Sequence, residues 1–111
     1  IRGIMDLDKI TNSIVKKAFE ALQTGNKEEW FGQFENEAEL FDDGRKMDFN
    51  SFFNKALGHE RFTEINKVEN NGTFVYGRFH SDQWGDFNTY FRFYIGTGGK
   101  ISKLEIGQWS K

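Results

Sequence analysis

Three runs of aromatic and β-branched residues, separated by short glycine-bearing turns, dominate the second half of the chain. Thr73–Trp84 stops at Gly85-Asp86, Phe87–Thr97 stops at Gly98-Gly99, and Lys100–Trp109 follows. Residues such as Phe74, Val75, Phe79, Tyr90, Phe93 and Ile95 suit a pleated, half-buried surface. Turns this short join antiparallel neighbours rather than crossovers. The chain is therefore committed to a long antiparallel sheet, one face of which needs cover. Most of the sequence before residue 60 has helical spacing, as that cover requires.

At 111 residues the chain reads as a single domain over 1–111, large enough for a core without staples. Residues 1–5 carry no pattern and are read either as disordered or as an expression remnant ahead of a start at Met5. The absence of cysteine excludes a disulfide framework and a thiolate metal site. A net charge of −2, with both signs interspersed, argues against a nucleic-acid or anionic-membrane surface. No apolar run reaches the roughly 20 residues that span a bilayer, and Ile1–Asp8 lacks the apolar segment of a signal peptide. The expectation is a soluble, cytoplasmic protein. Thirteen phenylalanines are the compositional outlier. They must fill an aromatic core, line an aromatic cavity, or meet a partner.

Taken in order, Asp6 or Asp8 can cap a helix whose apolar positions are Ile10, Ile14, Val15, Ala18, Phe19 and Leu22, with Thr24-Gly25 as its stop. Asn26 followed by Glu29 starts a short second helix carrying Trp30, Phe31 and Phe34. Ala38–Asp42 reads as a brief strand ending in the turn Asp42-Asp43-Gly44-Arg45. Asp48 caps a third helix with Phe49, Phe52, Phe53, Ala56 and Leu57, stopped by Gly58. Arg61–Glu69 is a strand, and Asn71-Gly72 is a strong hairpin signal.

Helices grouped against an antiparallel sheet define an α+β domain. In its long first helix ending at Gly25, aromatic second helix, Leu40-Phe41-Asp42 strand, short helix after residue 48 and closing Gly99-Lys100-Ile101 turn, the chain resembles the nuclear-transport-factor-2-like (NTF2-like) superfamily. That superfamily includes the SnoaL-like cyclases and the ketosteroid isomerases. The resemblance implies a cone-shaped, curved antiparallel sheet wrapped around three N-terminal helices, a pocket at the open end, and often a dimer through the outer sheet face.

A two-residue Gly98-Gly99 turn pairs Phe93 with Leu104, Phe91 with Ile106 and Thr89 with Gln108 on one face. If Gly85-Asp86 is also a two-residue turn, Tyr76, Arg78, His80 and Asp82 join that inner face. A three-residue turn would instead send Val75, Gly77 and Phe79 inward, because one residue of register flips a whole strand. Hydrophobicity favours the second arrangement. Turn chemistry and the resemblance favour the first, which is the one followed here. It leaves Val75, Phe79, Tyr90, Tyr94 and Trp109 outside as a homodimer surface, with Arg92, Lys103 and Glu105 as charges within it.

On that register Asp42, Tyr76, Arg78, His80, Asp82 and Gln108 converge on a cavity walled by Trp30, Phe34, Phe53, Phe91 and Phe93. Asp42 matches the position of the isomerases' catalytic base, and His80 can share its proton. Arg78 could grip a substrate carboxylate, with Asp82 orienting it. Asp42 equally suits a solvent-exposed turn, and the polar residues of 76–82 equally suit an exposed strand face. The isomerases' oxyanion donors would fall near Ala18 and Phe91, neither of which can donate, so steroid isomerisation is not expected. The Arg–Asp character of the proposed inner face is more like the epoxide-hydrolase or lyase branches. No phosphate loop or metal-ligand spacing occurs, and no cofactor is expected. Two functions remain: general acid/base chemistry of isomerase, lyase or hydrolase type on a hydrophobic or aromatic small molecule, or a non-catalytic ligand-binding or protein-interaction dimer.

Overall fold

The computed structural model describes residues 6–109, so the expectation for residues 1–5 lies outside the described residues. Asp6 caps a single 3-10 turn at Leu7–Lys9. The first helix, α1 (Ser13–Thr24), starts later than its apolar pattern suggests, because the Asn12 side chain accepts from the backbone N–H of Ile14 and Val15. Ile10 is buried ahead of the helix rather than on it. Gly25 ends α1 in the left-handed region at φ 72. A Cβ there would lie 2.9 Å from the Gly58 backbone, so the glycine also permits a close approach of two corners.

Asn26 caps α2 (Lys27–Gly32) as expected. Phe34 does not belong to it: β1 (Phe34–Asp42) begins there, several residues earlier than its sequence pattern indicates. Asp43 and Gly44, both at positive φ, turn β1 into β2 (Arg45–Met47), the two-residue Asp-Gly turn anticipated at this point. Asp48 caps α3 (Phe49–Ala56) through Ser51 N–H. Four strands follow: β3 (Glu60–Glu69), β4 (Phe74–Ser81), β5 (Gly85–Ile95) and β6 (Ile101–Gln108).

The six strands form one curved sheet, not closed into a barrel, in the order β2-β1-β6-β5-β4-β3. Its β3-β4-β5-β6 part is antiparallel throughout. β1 adds to β6 in parallel, so the sheet is mixed rather than purely antiparallel. With three helices on its concave side, the architecture is the expected α+β class. Among the described residues no helix is long and apolar enough to cross a membrane.

The register of β5 on β6 is the expected one, with Phe93 opposite Leu104, Phe91 opposite Ile106 and Thr89 opposite Gln108. The connection is longer than two residues, but a bulge between Tyr94 and Ile95 restores the pairing. β4 is where the expectation fails. Ser81 pairs with Gly85, leaving the three-residue loop Asp82–Trp84. Gly85, at φ 83, is the positive-φ residue that closes this loop, not the first residue of a two-residue turn. Val75, Gly77 and Phe79 therefore face the core, while Tyr76, Arg78 and His80 pair with Tyr90, Asn88 and Asp86 on the convex face.

Burial explains the choice of register. Val75 and Phe79 are 0% and 3% exposed, and Phe79 meets Phe62 at 5.1 Å and Phe91 at 5.5 Å. Burying one such ring is worth about 1.5–3 kcal/mol, whereas an unpaired buried guanidinium would cost far more. Gly77 fits the inward position because a Cβ there would collide with the Glu64 carbonyl oxygen of β3. Gly77→Ala should therefore lose roughly 1–3 kcal/mol of unfolding free energy or more. Arg78→Ala, on the exposed face, should change it by no more than about 0.5 kcal/mol. Urea titration of both variants checks the register, because the alternative predicts a large loss from Arg78→Ala.

Candidate functional site

β1, β4 and β6 run out at the same end of the sheet where β3 and β5 begin. The helices do not fill this end. A cavity of ≈ 970 Å³ remains between α3 and the sheet, with Phe52, Phe79, Phe87, Phe91 and Ile106 as its apolar surface. The rest of the aromatic set packs solid. Trp30 is fully buried, with Phe53 at 4.6 Å, Phe34 at 4.8 Å and Phe93 at 6.3 Å. Such contacts fill the space that the sequence reading assigned to a cavity wall.

The polar groups of the cavity come from strand ends and corners. Asp42 ends β1 opposite Ile106, on the inner face. The turn after it is fastened to β6 twice: Asp43 N–H donates to the Ile106 carbonyl at 2.9 Å, and Asp43 Oδ1 accepts from Gln108 N–H at 3.3 Å. Gly107 makes room for this, since a Cβ there would meet Asp43 Oδ1 and the Tyr90 hydroxyl. Glu60 starts β3 and accepts a hydrogen bond from the buried Ser81 hydroxyl at 3.0 Å. The same hydroxyl oxygen accepts from the N–H groups of Gln83 and Trp84, fixing the β4–β5 loop at the mouth. Trp84 itself is 70% exposed there.

Both inward carboxyls hold their protons more tightly than usual. Burial raises the pKa of Asp42 first, and the neighbouring Asp43 charge adds to it against the opposing pull of Arg45. Burial also raises Glu60, partly offset by the Ser81 hydrogen bond, with the charges of Asp42 and Asp82 pushing the same way. Asp82 behaves oppositely. Hydrogen bonds to His80 and His59 hold it below the ordinary carboxylate range. The cavity thus contains two reluctant acids inside and an ionised one on its rim.

Of the expected site residues, Asp42, Asp82, Gln108 and Phe91 border this cavity. Tyr76, Arg78 and His80 do not, because the three-residue loop turns them outward. Tyr76 is buried on the convex side against Trp109, and Arg78 donates to Asn88 there at 3.3 Å. Arg78 therefore does not reach into the cavity to meet a substrate carboxylate, and His80 does not share a proton with Asp42. Trp30, Phe34, Phe53 and Phe93 are core residues rather than cavity walls. Glu60 was missed because the strand was started at Arg61. Alternation from the inward Phe62 back through one residue would have found it.

No family model matches the chain, and no curated protein matches it by sequence. Solved structures do match in shape. An NTF2-like protein of unknown function from Cytophaga hutchinsonii aligns at a TM-score of 0.68 and 11% identity, over 96% of this chain and 92% of that one. A Xanthomonas campestris protein of unknown function with a cystatin-like fold aligns at 0.70 and 13%, over 87% and 88% of the two chains. The orange carotenoid protein of Anabaena (Nostoc), in a structure binding canthaxanthin, aligns at 0.71 and 18% over 90% of this chain. This chain spans only 36% of that protein's length. The fold is NTF2-like, in agreement with the sequence resemblance.

An acid whose folded pKa is raised favours folding while protonated and opposes it once ionised. Stability tied to Glu60 and Asp42 should therefore be full at low pH and fall as pH rises from the ordinary carboxylate value through the raised one. Glu60→Gln keeps an acceptor for Ser81 but removes the charge. Allowing for solvent screening, it should gain about 0.5 kcal/mol at neutral pH and nothing once the carboxyls are protonated. Thermal unfolding across acid to neutral pH measures this.

Proposed function

We propose that the protein binds an amphipathic small molecule in the cavity between α3 and the sheet, and exchanges a proton with it through Asp42 and Glu60. The pair of inward carboxyls on an aromatic wall carries this reading, since burial raises the pKa of both. A carboxyl that keeps its proton can donate to a ligand carbonyl or leaving group, and its ionised partner can accept one, which is the division of labour in general acid/base catalysis. The apolar body of the ligand would lie on Phe79, Phe87 and Phe91.

Charge narrows the ligand. Asp42, Asp43, Asp48, Glu60 and Asp82 all border the cavity, against Lys55 and His59. An anionic head group would meet repulsion from this set, so the polar end of the ligand is uncharged or cationic. Ala18 and Phe91, at the positions where the isomerases resembled here carry oxyanion donors, supply none. Elimination, hydrolysis or a proton shift that needs no buried oxyanion donor fits better than steroid isomerisation. A structural neighbour that carries this fold over 36% of its length binds canthaxanthin, which is in keeping with small-molecule use of this architecture.

We also propose a homodimer through the convex face, whose half-buried Phe74, Tyr90 and Tyr94 are bordered by cations of the same chain. Arg92 lies over the Tyr90 ring at 4.4 Å, Lys103 over Tyr94 at 4.4 Å, and Lys67 over Tyr76 and Trp109 at 4.8 and 5.4 Å. The Tyr94 hydroxyl donates to Glu105 at 2.7 Å, and burial with this bond pushes its pKa up to about 12. Phe74 and Tyr76 take the outward places that the sequence reading gave to Val75 and Phe79.

Uncharged or amine-bearing amphiphiles should raise the melting temperature, while carboxylates of the same skeleton should not. A ligand at 100 times its Kd adds about 2.7 kcal/mol to unfolding, well within reach of a thermal-shift screen. Asp42→Asn combined with Glu60→Gln should abolish any turnover while retaining binding of uncharged ligands. Retained turnover in that double variant removes the catalytic half of the reading. For the dimer, light scattering should give twice the chain mass at micromolar concentration, and Tyr90→Asp should return the monomer.

A further inference from the structure

His80 bridges the two arms of the β4–β5 hairpin. Its Nδ1 lies 2.7 Å from Asp86 Oδ1 and its Nε2 lies 2.9 Å from Asp82 Oδ1. Ionised carboxylates offer only lone pairs, so both contacts require an N–H from the ring. Neutral imidazole has one such donor and imidazolium has two. Asp82 reaches onward: its Oδ2 is 3.1 Å from His59 Nδ1, and its backbone N–H donates to the His59 carbonyl at 2.9 Å. His59 sits at the α3–β3 corner, beside the loop, one step beyond the paired Glu60 and Ser81. An alternating chain His59–Asp82–His80–Asp86 thus laces the corner to the hairpin along the neighbouring ends of β3, β4 and β5.

We propose that this chain is a pH-operated clamp at the cavity mouth, in which doubly protonated His80 tightens the loop Asp82–Trp84 against the hairpin and the α3–β3 corner, and loss of one ring proton loosens it. The clamp regulates the ligand site inferred above, and its ligand-dependent consequence rests on that reading. The groups facing His80 are Asp86 on β5 and Asp82 in the loop, which favour its proton, and Arg61 on the paired strand β3, which opposes it. His59 enters only through Asp82. The loop also carries Trp84, and its Gln83 and Trp84 amides are held by Ser81, itself bonded to Glu60. Release of the loop would therefore disturb the environment of an inward carboxyl as well as the mouth.

The sign follows from the shifts. Asp86 first, then Asp82, raise His80 above its ordinary value of 6.5, so the clamp is complete below that value and is lost as pH rises through the raised one. On the acid side, His80 first and then His59 hold Asp82 below its ordinary 3.8, so the bonds of Asp82 weaken as pH falls through that lowered value. A mildly acidic compartment would keep the rim closed, and an alkaline one would open it.

Two readouts test this. Native-state exchange gives protection factors for the amides of Asp82, Gln83 and Trp84 between about pH 6 and pH 9, with the His80 ring titrated in parallel by its nitrogen shifts. Protection should fall several-fold with the same midpoint as His80. Asp86→Asn should move that step to lower pH, and His80→Gln should erase it; neither residue lines the cavity. Dissociation of Nile red, an uncharged hydrophobic probe, should quicken over the same interval in the unaltered protein and show no such step in His80→Gln. Flat protection, or an unchanged step in His80→Gln, overturns the clamp. Failure of the probe to bind at any pH, with the protection step intact, supports the clamp and counts against the cavity as a ligand site.

Discussion

The hydroxyl of Ser81 holds together the part of the molecule on which the inner face depends. It is buried, it receives two loop amides, and it donates to Glu60. By capping the three-residue loop it secures the pairing of Ser81 with Gly85 that burial of Val75 and Phe79 selects, and every residue of β4 then follows by alternation. Phe79 goes in and joins Phe62, Phe87 and Phe91; Arg78 and His80 go out. A loop one residue shorter would have placed two cations in the core. The same hydroxyl tempers the acidity of the carboxyl that it touches, so the geometry of the loop and the chemistry of the cavity meet at one atom.

Most of the architecture was legible in the residues. Capping by Asn26 and Asp48, the stop at Gly25, and the Asp43-Gly44 turn follow from local preferences that tertiary packing did not overrule. The β5–β6 register was reached through a turn that is in fact longer, with a bulge compensating. Two features escaped. The start of β1 at Phe34 looks helical because Trp30, Phe31 and Phe34 share a helical stripe, yet the strand wins by pairing Phe34 beside Ile101. For Gly85, a positive φ is demanded by both candidate turns, so the glycine could not choose between them. Hydrophobic burial chose, against the turn chemistry and the family resemblance that favoured the polar face inward.

The site follows the same division. Asp42 was legible because it stands at a strand end beside a turn whose form was clear. Glu60 was not, since its inward direction is inherited from Phe62 rather than announced by its own neighbours. His80 was recognised as a proton-bearing group but placed on the wrong side of the sheet. Its partners, Asp82 and Asp86, lie two and six positions away, brought to it by the β4–β5 register and the loop that Ser81 caps.

The parallel pairing of β1 with β6 has a consequence for how the chain reaches this state. Asp43 finds its partner Gln108 across 65 positions, whereas β3 through β6 join in sequence by hairpins. As this domain is synthesised the helices and β1 precede β6, and Leu40 has only Met47 of β2 beside it until β6 has been made. Contacts of such long range close slowly, and until they close, β1 and β2 remain a bare hairpin with an unsatisfied edge. Asp42 therefore takes its place only when the final strand docks. That part of the cavity is thus among the last surfaces of this domain to form, and a molecule that recognises it would select domains in which β6 has docked.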